Sequence, residues 1–282
     1  MVKFLFAGFA AILLGSPCAL AADPPTPPPA QAPAQDAPPP PASVSQDSVK
    51  IRPKKASPAE EEGLLAPDVG LIDAPTSAVL DFGGYSAHSR FFSGGGLLQY
   101  VSFGVFQRLN IGASLDIDGI VGSEKTVHLR DPNLQIKYRF YDGDRWIPSF
   151  AAGYDGQGFR YNQPDKKYNN RQRGFFFVAS EELGLPGLQI HPSFNISDTN
   201  TNSFFGAVPV SYNIRDKVLV MAEWDNINKM VESRFNAGLR VYVTGAFHVD
   251  LALRAIGQGG TYSDDAPRGP ERIVALGYTG SF

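Results

Sequence analysis

The chain has 282 residues, with 25 Lys and Arg against 28 Asp and Glu, a net charge of −3, and 43% apolar and 12% aromatic side chains. The near balance of charge lacks the basic footprint of a nucleic-acid binder, and no apolar run beyond the N-terminus is long enough for a membrane-spanning helix. Abundant Gly (29) and Phe (20) with only 3 Met favour β structure over a helix bundle.

Residues 1–21 read as a signal peptide: Lys3 gives the basic end, 4–14 the apolar segment, and Ala19-Leu20-Ala21 a small-residue cleavage site. The only cysteine, Cys18, falls inside this segment, so the processed chain carries no thiol and no disulfide. Acylation of Cys18 as a lipoprotein is the rival reading, and Pro17 before it fits that poorly. Residues 22–69 form a Pro-rich linker that cannot bury a core and samples extended polyproline conformations, expected to be disordered in the periplasm. It serves as a spacer or as a tether to a periplasmic partner.

Residues 70–282 follow a different rule. From Thr76 the apolar pattern has period two: Leu80 and Phe82 flank Asp81 in the first segment, and Leu97, Val101, Phe103 and Val105 mark the second. Ile111, Ala113, Leu115 and Ile117 alternate with a face carrying Asp116 and Asp118. A hairpin comes next. Leu134, Ile136, Tyr138 and Phe140 alternate with Gln135, Lys137 and Arg139, Asp142-Gly143 supplies the turn, and the return arm sets Phe150 and Tyr154 in alternation with Asp155. The same alternation recurs through seven further segments and places Glu223, Asp225, Arg240, Asp250 and Arg254 opposite apolar stripes. The last segment ends the sequence at Phe282, with Tyr278 and Gly280 on the same face.

The count is about twelve strands, an even number, and their connections alternate between short and long polar ones. Both features predict a transmembrane antiparallel β-barrel with lipid outside, a polar lumen inside, short periplasmic turns and long external loops. An Arg or Lys facing lipid near the midplane costs about 2–4 kcal/mol, so Asp116, Asp118, Lys137, Arg139, Asp155, Glu223, Asp225, Arg240, Asp250 and Arg254 are expected to line the lumen. There they either pair and fill a narrow barrel or attract a polar solute. The final strand is expected to close on the Thr76 segment, and Tyr278, Gly280 and Phe282 to act as the signal read by the barrel-assembly machinery. The barrel's surroundings are then outer-membrane lipid and lipopolysaccharide.

Four stretches, Gly70-Leu71-Ile72-Asp73-Ala74-Pro75-Thr76-Ser77-Ala78, Pro148-Ser149-Phe150-Ala151-Ala152-Gly153, Val178-Ala179-Ser180 and Ala237-Gly238-Leu239-Arg240, resemble the YjbH-like outer-membrane proteins. The resemblance implies a barrel associated with exopolysaccharide production and export, and it brings no catalytic residues.

Other chemistry has thinner support. His248 and Asp250 share one strand face, as do His191 and Ser193, the minimum for a base and a nucleophile in a lipid-hydrolysing barrel. Residues two apart share a face by geometry alone, so a non-enzyme is expected. His88 and His128 are expected in loops, and with no paired ligand spacing neither a metal nor another cofactor is expected. The long connection over 156–173 carries Arg160, Lys166, Lys167, Arg171 and Arg173 among tyrosines, an external basic loop able to meet phosphate or acidic polysaccharide. The function expected is a pore or export-associated envelope protein for a polar solute. The alternative is a non-conducting anchor that recruits a partner through its Pro-rich arm.

Overall fold

The computed structural model describes residues 65–122, 126–162, 167–170, 172–197, 204–228, 233–261 and 268–282. The signal segment and most of the Pro-rich linker lie outside the described residues, as do Lys166 and Arg171 and the side chain of Lys167.

Twelve strands close into one antiparallel ring. They are β1 (Gly84–Phe92), β2 (Gly96–Phe106), β3 (Leu109–Asp118), β4 (Asn133–Tyr141), β5 (Ser149–Asp155) and β6 (Gly174–Glu182). The ring continues with β7 (Leu188–Ile190 and Ser193–Ile196), β8 (Phe204–Ile214), β9 (Val218–Asp225), β10 (Arg234–Tyr242), β11 (Phe247–Ile256) and β12 (Glu271–Ser281). Each strand pairs with its neighbours in sequence, and β12 pairs with β1 from Gly84↔Ser281 to Phe92↔Ile273, which leaves no edge. β7 is split at Pro192, which has no N–H to give the ladder.

The pleat sorts the side chains by polarity. On β4, Leu134, Ile136, Tyr138 and Phe140 are exposed on the outside, while Glu223, Asp225, Asn236 and Arg254 on other strands are fully buried within. Aromatic residues crowd both rims: Phe91, Phe175, Phe204, Trp224 and Phe235 at the long-loop end, and Phe106, Phe140, Tyr212 and Tyr278 at the short-turn end. An apolar band between two aromatic girdles is the surface of a barrel seated in a bilayer. The short turns use compact chemistry. Arg215 and Asp216 both take positive φ (52° and 55°), as a type I′ hairpin between β8 and β9 requires.

The first strand departs from the expectation. The alternation over Thr76–Phe82 predicts a wall strand, whereas the wall begins at Gly84, and His88, expected in a loop, lies within β1. Period-two alternation cannot separate a strand from an extended chain that lies against one, because both expose side chains alternately. The final strand accordingly closes on β1 and not on the Thr76 segment.

Candidate functional site

Residues 65–83 run inside the ring. They enter at the short-turn end, where the Ala66 N–H donates to the Gly245 carbonyl (3.0 Å), turn back at 71–74, and leave at the same end, where the Gly83 N–H meets the Gly104 carbonyl (2.9 Å). The turn is closed by Leu71 N–H to Ala74 O at 2.9 Å and by the Gly70↔Pro75 bridge. A finger of this kind can sit only in the lumen, because its partners come from strands on every side: β1, β3, β4, β6 and β9 to β11.

The tip is held by charge. Glu223 on β9 accepts the N–H groups of three successive residues, Ile72 (2.8 Å), Asp73 (3.0 Å) and Ala74 (3.0 Å). The Asp73 carboxylate receives Arg90 from β1 at 2.9 Å on one oxygen and Arg254 from β11 on the other, while Arg173 donates to the Asp73 carbonyl at 2.7 Å. The network extends outward: Arg254 also pairs with Glu271 (3.0 Å), and Asp225 pairs with Arg234 and Arg173. Asp73 belongs to the finger and not to a spanning strand. Burial pushes its carboxyl upward, but Arg254 and Arg90 outweigh this and hold it below the ordinary carboxylate range.

Further down, Asp68 accepts from Arg240 and from the Tyr242 hydroxyl, each at 2.6 Å, and Arg240 grips Asp250 at 2.8 and 2.9 Å. Leu71 packs on Leu219 and Met221, inward apolar residues of β9, with Ile72 and Tyr242 around them. The returning limb meets mostly neutral groups. Ser77 N–H donates to Ser180 Oγ (2.9 Å), the Ser77 and Ser149 hydroxyls lie 2.6 Å apart, and Leu80 N–H donates to Asn110 (3.1 Å). Lys137 donates to the carbonyls of Val69 and Thr76.

A second element closes on the tip from the opposite end. In the long connection after β5, Gln157 is buried and accepts from Ser114 (2.7 Å) and Asn133 (3.1 Å). Phe159 then lies over the guanidinium groups of Arg254 (4.1 Å) and Arg90 (4.6 Å), the two that clasp Asp73.

The residues expected on the inner face fall as follows. Glu223, Asp225, Arg240, Asp250, Arg254 and Lys137 all join the finger or the ion pairs around it. Asp116 is buried, Asp118 pairs with Arg130, Arg139 pairs with Asp142 at 2.9 Å, and Asp155 accepts from Gln135 and from the Gln157 N–H. Arg173, expected in the external basic loop, instead turns inward and is buried, because Asp225 and the finger's carbonyl lie within its reach. Arg160 stays at the outer end, on a short strand (Phe159–Asn162) paired with Lys167–Asn170. Tyr278 and Phe282 are exposed at the short-turn rim, with Tyr85 beside both and over Gly280.

The histidines also fall differently from expectation. His191 is bonded through both ring nitrogens, to Ser180 (2.8 Å) and Ser211 (3.0 Å), and so is not poised against Ser193. His88 is on β1 and faces His248 across the inner wall, with Asp250 beside both.

Asp68, Asp73 and Arg90, which do the clasping, are not among the residues that strand alternation places on the inner face. One signal was available: Asp73 is a lone charge in the stretch 69–80, flanked by a turn-forming Ala-Pro.

No protein-family model and no curated protein matches the chain. Among solved structures it is similar to the KdgM porin (10% identity, TM-score 0.45, covering 71% of this chain and 99% of that one). It is also similar to the NanC porin (9% identity, TM-score 0.36, 70% and 99%). A porin mutant from Rh. blastica matches at 10% identity and TM-score 0.33 over 66% of this chain, which spans 55% of that porin's length. Likeness of this degree carries no argument about solute or activity, and the barrel rests on its own strand pairing. Nothing among these matches concerns YjbH-like proteins or exopolysaccharide.

Proposed function

We propose that the chain is an outer-membrane, porin-like barrel for a polar solute that is held shut in its resting state by its own N-terminal finger. The observation that carries this is the clasp at the tip: one carboxylate, Asp73, bridges arginines of β1 and β11 while Glu223 satisfies three tip N–H groups. A lumen built only to be filled has no need of so many ionised groups, since well-packed apolar residues fill space at lower desolvation cost. A polar passage with a charged latch does need them. The described chain enters the ring at the short-turn end, so a periplasmic partner pulling on the sequence before residue 65 would withdraw the finger. An exopolysaccharide as the solute, with export as the direction, rests on the sequence resemblance alone.

The test is planar-bilayer conductance of the purified full chain beside a variant lacking residues 65–78. The reading expects a silent full chain and steady ohmic currents from the deletion. A deletion variant that inserts, keeps its strands and stays silent favours the second reading, a non-conducting anchor whose arm recruits a partner.

A further inference from the structure

We propose that His88, His248 and Asp250 form a binding site for a divalent transition-metal ion on the lumen wall. The site arises from register. His88 of β1 stands opposite Gly277 of β12, and Gly277 stands opposite His248 of β11, so the two imidazoles flank a position with no side chain. The His248 ring lies in that gap: a Cβ on Gly277 would come 2.1 Å from its Nε2. Asp250, two residues along β11 and therefore on the same face, completes the set.

The three ligand atoms lie within 4.8 Å of one another, with His88 Nε2 3.5 Å and His248 Nε2 3.8 Å from the Asp250 carboxylate. An ion with bonds of about 2 Å draws its ligands to roughly 3–3.5 Å apart, a closure that rotation of two imidazoles over a glycine provides. Both Nε2 atoms are shut off from solvent and make no hydrogen bond. The contrast with His191, whose two ring nitrogens are both satisfied, separates a structural histidine from a pair with free donor capacity.

Charge and space favour a cation. Asp68 and Asp250 flank a single guanidinium, Arg240, so this corner sums to −1 before any ion arrives. The fork of Arg240 uses one lone pair on each Asp250 oxygen, and each carboxylate oxygen has another to offer. A cavity of about 200 Å³ reaches both histidines, with Tyr100 and Ser86 on its wall, and gives room for water in the remaining coordination positions. Two imidazoles and one carboxylate suit Zn²⁺, Ni²⁺ or Cu²⁺ better than Mg²⁺ or Ca²⁺, which prefer oxygen alone.

Tag-free full-length protein in detergent is titrated with ZnCl₂ by calorimetry. One ion per chain is expected, with His88→Gln or His248→Gln weakening the affinity at least about tenfold and His128→Gln or His191→Gln leaving it unchanged. Absence of binding at about 100 μM Zn²⁺, or wild-type affinity in the folded His88→Gln/His248→Gln double variant, overturns the site. Should the double variant not fold, Cu²⁺ loaded into the wild-type chain decides instead. Superhyperfine coupling to two imidazole nitrogens in its electron paramagnetic resonance spectrum supports the site, and coupling to none or one contradicts it.

Discussion

The two ends of the finger are held by different chemistry. At the tip, residues 72–74 are fixed by buried carboxyl groups: Glu223 on three N–H groups, and Asp73 between Arg90 and Arg254. On the limb returning to the wall, Ser77 and Leu80 are fixed by hydroxyls and an amide, Ser149, Ser180 and Asn110. Breaking a buried ion pair by removing one partner costs about 3–5 kcal/mol, because the other charge is stranded, whereas a neutral hydrogen bond contributes about 0.5–1.5 kcal/mol. The tip is therefore the part that a change of charge can release. The limb is the hinge that stays.

The largest effect is expected from Glu223→Ala, which strands three tip N–H groups at once, each costing about 1–3 kcal/mol when left unpaired. With Ile72→Cys as a reporter, maleimide labelling of folded barrels should rise by orders of magnitude over the Glu223 parent. Asp73→Ala comes next, since it leaves Arg90 and Arg254 facing each other without their shared carboxylate; Arg254 keeps Glu271, which softens the loss. The same reporter should show a smaller but clear rise. At the other end, Ser180→Ala should change labelling of the tip little and lower stability by about 1 kcal/mol. If Ser180→Ala released the tip as readily as Asp73→Ala, the division between latch and hinge would be wrong.

Acid sharpens the same contrast. The Asp73 carboxyl is held below its ordinary range, so it binds its proton later in the folded chain than in the unfolded one. Its contribution is present above the ordinary carboxylate pKa of about 3.9 and is lost only as pH falls through the lower folded value. In a Glu223→Gln background, which takes the other buried carboxyl of the tip out of the titration, tip labelling should stay flat from neutral pH to about pH 4 and rise in stronger acid. A rise beginning near pH 6 would point to a different latch.

The wall was legible in the sequence because a bilayer imposes a two-sided rule on every strand: Leu134 to Phe140 outward, Lys137 and Arg139 inward, with lipid penalising any exchange. The same rule turns Glu223, Asp225, Arg240, Asp250 and Arg254 away from lipid, but it passes over Arg90 and Glu271, which are also buried within the ring. The finger did not follow, because its extended limbs show alternation like a strand's, and Leu80 and Phe82 counted as wall. Nor could the alternation tell that Arg173 turns inward, since the pairing that buries it, with Asp225 and the Asp73 carbonyl, joins residues far apart in the chain. His88 and His248 were separated by 160 positions and met only once β1, β11 and β12 were placed in register at Gly277.

The central claim is that residues 65–83 lie inside the ring, and a disulfide tests it most directly. Ser77 of the finger and Ser149 of β5 have hydroxyl oxygens 2.6 Å apart, and the only native cysteine is Cys18. The Ser77→Cys/Ser149→Cys double variant should cross-link nearly completely under mild oxidation in folded barrels, giving a non-reducing gel shift that thiol reverses. Folded barrels that keep both thiols free and open to a bulky maleimide would place the finger outside the lumen.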